Sequence, residues 1–356
     1  MIKPHTVQTF DRMAAPLRPS FVAGTPLAAN IYDFVSDYLS SPSRDAPSMA
    51  ASLTSLMAPL VKTASEIQEI CYLWGVICFM ATTYHPSSPK HWLLVELVLE
   101  IKKCSAPPFE GCLTYEKQWG CAFWVDLPML PAVWDDFEFD APLVPRMAER
   151  KSDPNLWSNR FLPGPWRSRD MIPMSSEAWA SLNAFGARLY AQPHISSLED
   201  RALFALTEAL EQDKPAKALD DVVPAAACWI LYAGKKIKEH NSGYETDCVN
   251  ATGIKRLHSP AWSRGSLWKG ANGFLDERWR FWKTRFGELV DSTGLKRDTQ
   301  QYAKQAGDEM RRIESVSAHG QAVICRKGFG AGCCNTAEIE CNTASTRRLL
   351  VSDLLN

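Results

Sequence analysis

The sequence lacks an excess of charge of either sign. Its 356 residues carry 39 Lys and Arg against 40 Asp and Glu, which leaves a formal net charge of −1. A charge balance this even creates no long-range field that would hold nucleic acid or an anionic membrane surface. We therefore expect no nucleic-acid partner.

Long hydrophobic runs are also missing. The most apolar stretch, residues 70–81, is about half of the roughly 20 residues that a membrane-spanning helix needs. Residues 1–20 contain no apolar segment of the kind found in secretory signals. The 11 cysteines are too sparse for a disulfide scaffold and fit reduced thiols. The sequence thus predicts no membrane span and a cytoplasmic location.

A sustained alternation of apolar and polar residues, the pattern of a β-strand, is absent as well. Apolar residues recur instead at helical spacing, most regularly at Leu275, Trp279, Trp282, Phe286 and Leu289. The sequence predicts an all-α fold of about ten helices, the last of them over about 295–317.

Capping residues mark several of the expected helix starts. Thr25 and Ser88 each precede a proline, which favours the first helical turn. Thr63 and Glu66 have the spacing of a capping box, in which each side chain satisfies the other residue's backbone N–H. Ser175 precedes another helical stripe. Between residues 88 and 99 the sequence is too apolar all round for a surface helix, which predicts burial of Trp92.

Residues 104–173 differ from both flanks, because ten prolines interrupt every long helix there. Five of the chain's 13 tryptophans lie among these prolines. We expect short helices and ordered turns held by aromatic side chains. Around this middle segment we expect an irregular arm over 1–24, a single multi-helix domain over 25–318, and a disordered tail over 319–356. The tail holds four of the 11 cysteines.

The strongest chemical candidate is the pattern D-D-x-x-x-D at Asp135, Asp136 and Asp140. It is similar to the first metal motif of class I terpene synthases, in which carboxylates one helical turn apart hold Mg²⁺ against a diphosphate. The second motif that such enzymes need is missing, and Pro131 and Pro142 confine the segment to about two turns. We interpret the segment as an exposed acidic turn and its aspartates as weak metal candidates. We predict no bound metal and no cofactor, and the catalytic residues, if any, stay unknown.

Residues 279–286, WRFWKTRF, form the densest aromatic–basic stretch. Interleaved Arg and Trp could stack on a nucleic-acid strand. The helical period instead places Trp279, Trp282 and Phe286 on one buried face, with Arg278 and Lys283 outside. We therefore interpret the stretch as a core helix.

Other reactive patterns are weak or absent. His85 and His91 flank a Pro/Ser turn that offers no carboxylate or thiol at ligand spacing, so we expect satisfied or exposed histidines. The cysteines of the tail lack the C-x₂-C pairs that are typical of zinc sites. We find no H-E-x-x-H, G-x-S-x-G or P-loop motif.

Four stretches, in this order along the chain, resemble a known family. They are Trp124–Pro128 (WxDLP), Trp179–Phe185 (WxxLNAF), Ala225–Gly234 (AAAxWIxYAG) and Trp268–Phe286 (WKG…GF…RWRFWKxRF). The chain resembles the domain-of-unknown-function family 3632, a group of uncharacterised fungal proteins, over roughly residues 25–318. The stretch 241–264 and the tail after about 318 depart from the family's pattern.

The resemblance implies a single α-helical domain from a filamentous fungus. It implies no established activity and supplies no catalytic residues. Two functions stay open. The first is a non-catalytic interaction or accessory protein, which binds an unknown protein partner. The second is an enzyme of fungal specialised metabolism, cyclase-like or isomerase-like, which acts on a hydrophobic small molecule in an aromatic-lined cavity.

Overall fold

The chain folds into helices joined by turns. The structure, a computed structural model, describes residues 22, 24–43, 45–62, 69–110, 112–113, 122–138, 174–193, 195, 198–240 and 265–327, with side chains through residue 316. In these ranges 75% of the residues are helical and no strand is present. The predicted all-α fold class is confirmed.

Ten α-helices make up the described part of the chain. They are α1 Pro26–Ser40, α2 Ala46–Met57, α3 Ile70–Thr83, α4 Pro89–Lys103, α5 Leu130–Glu138, α6 Ser176–Tyr190, α7 Glu199–Leu210, α8 Ala216–His240, α9 Asp276–Val290 and α10 Arg297–Lys327. A 3₁₀ turn, Ala58–Leu60, follows α2. Helix α10 continues to Lys327, beyond the predicted end near 317.

The helices pack around α8, which contacts α6, α7 and α10. Helix α6 also packs on α3, and through it the C-terminal helices join α1, α2, α4 and α5. One hydrophobic core cluster therefore runs from Val22 to Ile313. Because that core is continuous, the described helices form one packed body rather than separate units.

Several helix starts follow the predicted caps. Helix α1 has Thr25 at its N-cap and a proline in its first turn, although no side-chain cap hydrogen bond forms. Ser88 Oγ accepts the Lys90 N–H at 3.3 Å, and Ser175 Oγ accepts the Ala178 N–H at 3.2 Å. These hydrogen bonds satisfy backbone donors that the first helical turn leaves open. The predicted capping box at 63–66 lies outside the described residues.

The turn before α5 lies in the Pro/Trp-rich segment, and its hydrogen bonds show how this part of the segment is ordered. Asp126 Oδ2 accepts the Ala122 N–H at 2.6 Å, which closes the turn. Leu127 has a backbone φ of 52°, a conformation that residues other than glycine rarely adopt. Trp74 of α3 donates its indole N–H to the Pro128 carbonyl at 2.5 Å. Of the five tryptophans in the Pro/Trp-rich segment, Trp124 and Trp134 are buried, whereas Trp119, Trp157 and Trp166 lie outside the described residues.

Helix α4 contradicts one burial prediction. Trp92 is 53% exposed, whereas the apolar character of the segment predicted burial. Trp92 and Glu96, one helical turn apart, are both exposed and so lie on the solvent-facing side of α4, whereas His91 in the same turn is buried. None of the described helices combines the length and the apolar character that a membrane crossing requires.

Candidate functional site

The acidic turn is tied into the fold by an arginine. Arg201 of α7 pairs with Asp135, and it also pairs with Glu138 at 3.1 Å. Asp136 is 2% exposed and Glu138 is 7% exposed, so the predicted exposed acidic turn is wrong for both. The period of α5 explains the error, because it turns Asp136 toward the core beside Val133 and Phe137. Asp140 lies outside the described residues.

The metal motif is not assembled in the described part of the chain. There, no group of three or more His, Cys, Asp or Glu side chains lies close enough together to hold a metal ion. Of the three aspartates, the structure places Asp135 and Asp136 in one helix and gives Asp135 to the ion pair with Arg201. The sequence predicts that this turn does not bind Mg²⁺, and that statement stays a prediction.

Among the described residues, the most buried ion pair lies elsewhere, at Glu211 just after α7. Arg278 of α9 donates to both carboxylate oxygens of Glu211, from Nε at 2.6 Å and from Nη2 at 2.9 Å. Both side chains are 0% exposed. Arg278 also donates to Thr207 Oγ1 and to the Gly273 carbonyl. Burial of this pair is tolerable because every nitrogen of the guanidinium has at least one hydrogen-bond acceptor.

Two further N–H groups donate hydrogen bonds to the Glu211 carboxylate. Trp282 donates its indole N–H to Oε1 at 2.7 Å, and the Gly265 N–H donates to Oε2 at 3.0 Å. A Cβ on Gly265 would overlap the Glu211 backbone, so only glycine fits there. We call Glu211, Arg278, Trp282, Thr207 and Gly265 the Glu211 centre. It anchors the segment before α9 to the end of α7.

The Glu211 centre corrects the interpretation of residues 278–286. Trp279, Trp282 and Phe286 form the buried face as predicted, and α9 is a core helix. The prediction that Arg278 lies outside is wrong, because it is 0% exposed. The period alone places it at the border of the apolar face, and its buried partner Glu211 is remote in sequence.

The other family stretches are also joined by interior hydrogen bonds. Asn183 of α6 accepts the Trp229 indole N–H of α8 at 2.7 Å, and it donates to the Trp179 carbonyl at 2.8 Å. Gly234 of α8 faces Ile313 of α10, and a Cβ there would come within 2.9 Å of that side chain. The residues that carry the resemblance therefore hold helices together.

A second buried arginine has different surroundings. Arg188 of α6 is 3% exposed. Its Nη2 donates to the Pro86 carbonyl at 2.5 Å, and its Nη1 lies 3.3 Å from His91 Nδ1. The guanidinium carbon lies 3.7 Å from the ring centre of Tyr232 and 5.1 Å from that of Trp92. We call Arg188, His91, Trp92 and Tyr232 the Arg188 cluster.

His91 is the neutral member of the Arg188 cluster. Its Nε2 lies 3.0 Å from the Tyr84 carbonyl, so Nε2 carries the proton and Nδ1 accepts from Arg188. Burial, together with the positive charge of Arg188, lowers the pKa of His91 from 6.5 to about 4. His91 is thus a satisfied histidine, as predicted, while His85 is exposed and contacts Ser87. The pKa of Arg188 itself is lowered by burial.

Sequence reasoning missed the Arg188 cluster. Arg188 sits in a helical stripe with no motif around it, and its partners come from α4 and α8. The one available signal was the Pro/Ser turn between His85 and His91, which brings the Pro86 carbonyl and the His91 ring to the same place.

Several of the described cysteines are buried, and a small cavity lies between two of the described helices. Burial raises the pKa of the thiols of Cys71, Cys78 and Cys228, which keeps them protonated. A cavity between α8 and α9 is bounded by Ile237, Phe274 and Trp282, among others, and its volume is about 10 Å³. That is space for about one water molecule. The predicted aspartates do not line it.

The fold and these anchoring contacts define a helical protein with a single packed core. Comparison with known protein families identifies the family of the chain. Residues 74–286 match the family described as proteins of unknown function, DUF3632. This match spans more than half of the chain, which therefore belongs to that family. No curated protein and no solved structure matches the chain.

Proposed function

We propose that this chain is a non-catalytic interaction or accessory protein of the fungal cytosol, with its contact surface centred on Trp92. The observation that carries this proposal is the position of Trp92, which is 53% exposed and stacked over a buried arginine. Exposed tryptophan is the residue type that most often contributes large binding free energies at protein interfaces.

The neighbours of Trp92 support the proposal. Arg188 stacks with the rings of both Trp92 and Tyr232, and at 3% exposure it supports Trp92 from within the protein. Arg188 is held by Pro86 and His91, so its rotamer is fixed before any partner arrives. Arg188 thus gives the Trp92 ring a fixed support that needs no reordering on binding.

The use of ionisable residues inside the protein also favours a non-catalytic role. Glu211 and Arg278 neutralise each other, as do Glu208 and Lys214 at 2.8 Å. Lys236 donates to the carbonyls of Tyr190, Gln192 and Ile195, and so closes the end of α6. Each of these groups has a structural task that accounts for its position.

The alternative is an enzyme of specialised metabolism that acts on a hydrophobic small molecule. Such an enzyme needs a cavity that encloses its substrate, typically of several hundred Å³. The described cavity between α8 and α9, at about 10 Å³, does not favour it. The interaction function therefore comes first.

Affinity purification from a filamentous fungus tests the proposal. We would compare the tagged full chain with its Trp92→Ala variant. Phe34→Ala is the matched control, because Phe34 is also an exposed aromatic residue, at 39%. We expect a stoichiometric partner that the parent chain and Phe34→Ala retain, and whose affinity for Trp92→Ala falls about tenfold or more.

Two results would contradict the proposal. One is that no protein co-purifies in stoichiometric amount. The other is that Trp92→Ala and the parent chain retain the same partners equally. Thermal melting of all three proteins checks that the variants are folded, because Trp92 contributes little to the core.

A further inference from the structure

Two arginines in the described part of the chain are almost completely buried, and only one has a counter-ion there. Arg278 is 0% exposed and pairs with Glu211, whereas Arg188 is 3% exposed. Among the described residues no Asp or Glu forms an ion pair with Arg188, and its Nε–H is buried without a hydrogen-bond partner. A buried guanidinium in this condition is costly unless an anion reaches it.

The surroundings of Arg188 hold the guanidinium without neutralising it. The Pro86 carbonyl and His91 Nδ1 are neutral acceptors, and Tyr232 presents an aromatic ring at 3.7 Å and a neutral hydroxyl that also hydrogen-bonds Arg188. These groups fix the position of the side chain. They leave one positive charge and the Nε–H donor unused.

The ring of Trp92 stacks on the guanidinium group of Arg188. Its ring centre lies 5.1 Å from the guanidinium carbon, and the side chain is 53% exposed. A half-exposed side chain in the first turn of a helix can change rotamer without disturbing the core.

We propose that Arg188 anchors a binding site for a single carboxylate group, which docks on the guanidinium when the Trp92 side chain rotates aside. The planar fork of an arginine matches the two oxygens of a carboxylate. One unneutralised charge matches a monoanion, whereas a phosphate dianion would need a second cation that the contacts of Arg188 do not provide. The aromatic rings of Trp92 and Tyr232 suit a carboxylate on an apolar body.

The carboxylate has two sources, a free organic acid or an acidic side chain of a protein partner. Benzoate and a blocked peptide with one glutamate represent these sources. Each is titrated into the ¹⁵N-labelled full chain at constant ionic strength, with sodium chloride as the reference salt. The signal is the indole N–H resonance of Trp92, which is assigned by its loss in Trp92→Phe. We expect a saturable shift with at least one probe, and a melting temperature that rises with its concentration.

Variants separate this site from nonspecific binding. Arg188→Gln removes the charge and is expected to weaken binding about tenfold or more. Arg188→Lys keeps the charge, loses the fork, and tests the same point if Arg188→Gln does not fold. Arg280→Gln, in which an arginine with a 65% exposed side chain is replaced, is the matched control and should bind like the parent chain.

The outcomes decide both the site and the source. Binding of benzoate alone indicates a free acid, and binding of the glutamate peptide alone indicates a partner's side chain. The proposal is overturned if neither probe binds, if phosphate binds as well as benzoate, or if Arg188→Gln and Arg188→Lys bind like the parent chain. Partner capture through Trp92 is measured separately, so each proposal stands or fails by its own experiment.

Discussion

Two residues of the Glu211 centre show how much a buried charge depends on its partner. Glu211 receives hydrogen bonds from Arg278, Trp282 and Gly265. We expect Glu211→Gln to destabilise the protein by about 3–5 kcal/mol, because it leaves Arg278 buried without a counter-ion. Urea denaturation measures this change. The double variant Glu211→Leu with Arg278→Met should recover part of the loss, although the N–H groups of Trp282 and Gly265 then lack their acceptor. A double variant as unstable as Glu211→Gln would contradict this account.

Trp282 separates a core role from a nucleic-acid role for the aromatic–basic stretch. Trp282 is 0% exposed, and Trp282→Ala should cost about 3–5 kcal/mol of stability. The adjacent Lys283 is half-buried and pairs with Glu314 at 2.6 Å, so Lys283→Ala should cost about 1 kcal/mol or less. Denaturation curves and a single-strand binding assay on both variants check this. A stable Trp282→Ala protein that had lost strand binding would show that the helix is a nucleic-acid platform.

His91 makes the stability of the protein depend on pH. The folded protein keeps its imidazole neutral down to about pH 4, whereas the unfolded chain takes up the proton near 6.5. The unfolded state therefore binds more protons between these values, and stability falls as the pH drops through that window. From about pH 7 to about pH 5.5 the loss should be about 1 kcal/mol.

Denaturation of the parent chain and of His91→Gln across this range measures the effect. His85, whose pKa is also lowered by partial desolvation of its ring, changes stability in the same direction in both proteins. The difference between the two slopes is therefore the contribution of His91. Equal slopes would mean that His91 takes up its proton as readily in the folded protein as in the unfolded chain.

At the scale of the helices, two glycines test how closely the elements approach. A Cβ on Gly186 of α6 would overlap the ring of Trp134 of α5, while a Cβ on Gly287 of α9 would meet nothing within 4 Å. We expect Gly186→Ala to destabilise by about 1–3 kcal/mol. Gly287→Ala should stabilise by about 0.5–1 kcal/mol, because alanine restricts the unfolded chain and favours the helix. Thermal melts compare the two, and equal shifts would place α5 farther from α6.

The helices were predictable where the signal is local. The period of Trp279, Trp282 and Phe286 and the cap at Ser88 depend on near neighbours in the sequence, and both are confirmed. The burial of Arg278 was not predictable in this way, because its partner Glu211 is 67 residues away. Arg188 was missed for the same reason, since its partners lie on other elements. Local patterns specify a helix and its face, but pairings between remote polar residues arise only on packing.

For the whole molecule, the continuous core predicts how the C-terminal helix contributes. Helix α10 packs on α8 and α9, and its buried residues include Met310 and Ile313. A chain that ends at His319 keeps both, so its melting temperature should equal that of the full chain. A chain that ends at Gly307 loses both, and also loses Glu314, which accepts from Trp279 at 3.0 Å. Because removal of a large buried aliphatic side chain costs about 2–5 kcal/mol, this shorter chain should lose more than about 4 kcal/mol of its stability.

Circular dichroism and tryptophan fluorescence should report one common transition at the lower temperature, because one core joins all the described helices. Two separate transitions, or a lower melting temperature for the chain ending at His319, would contradict this view of the molecule.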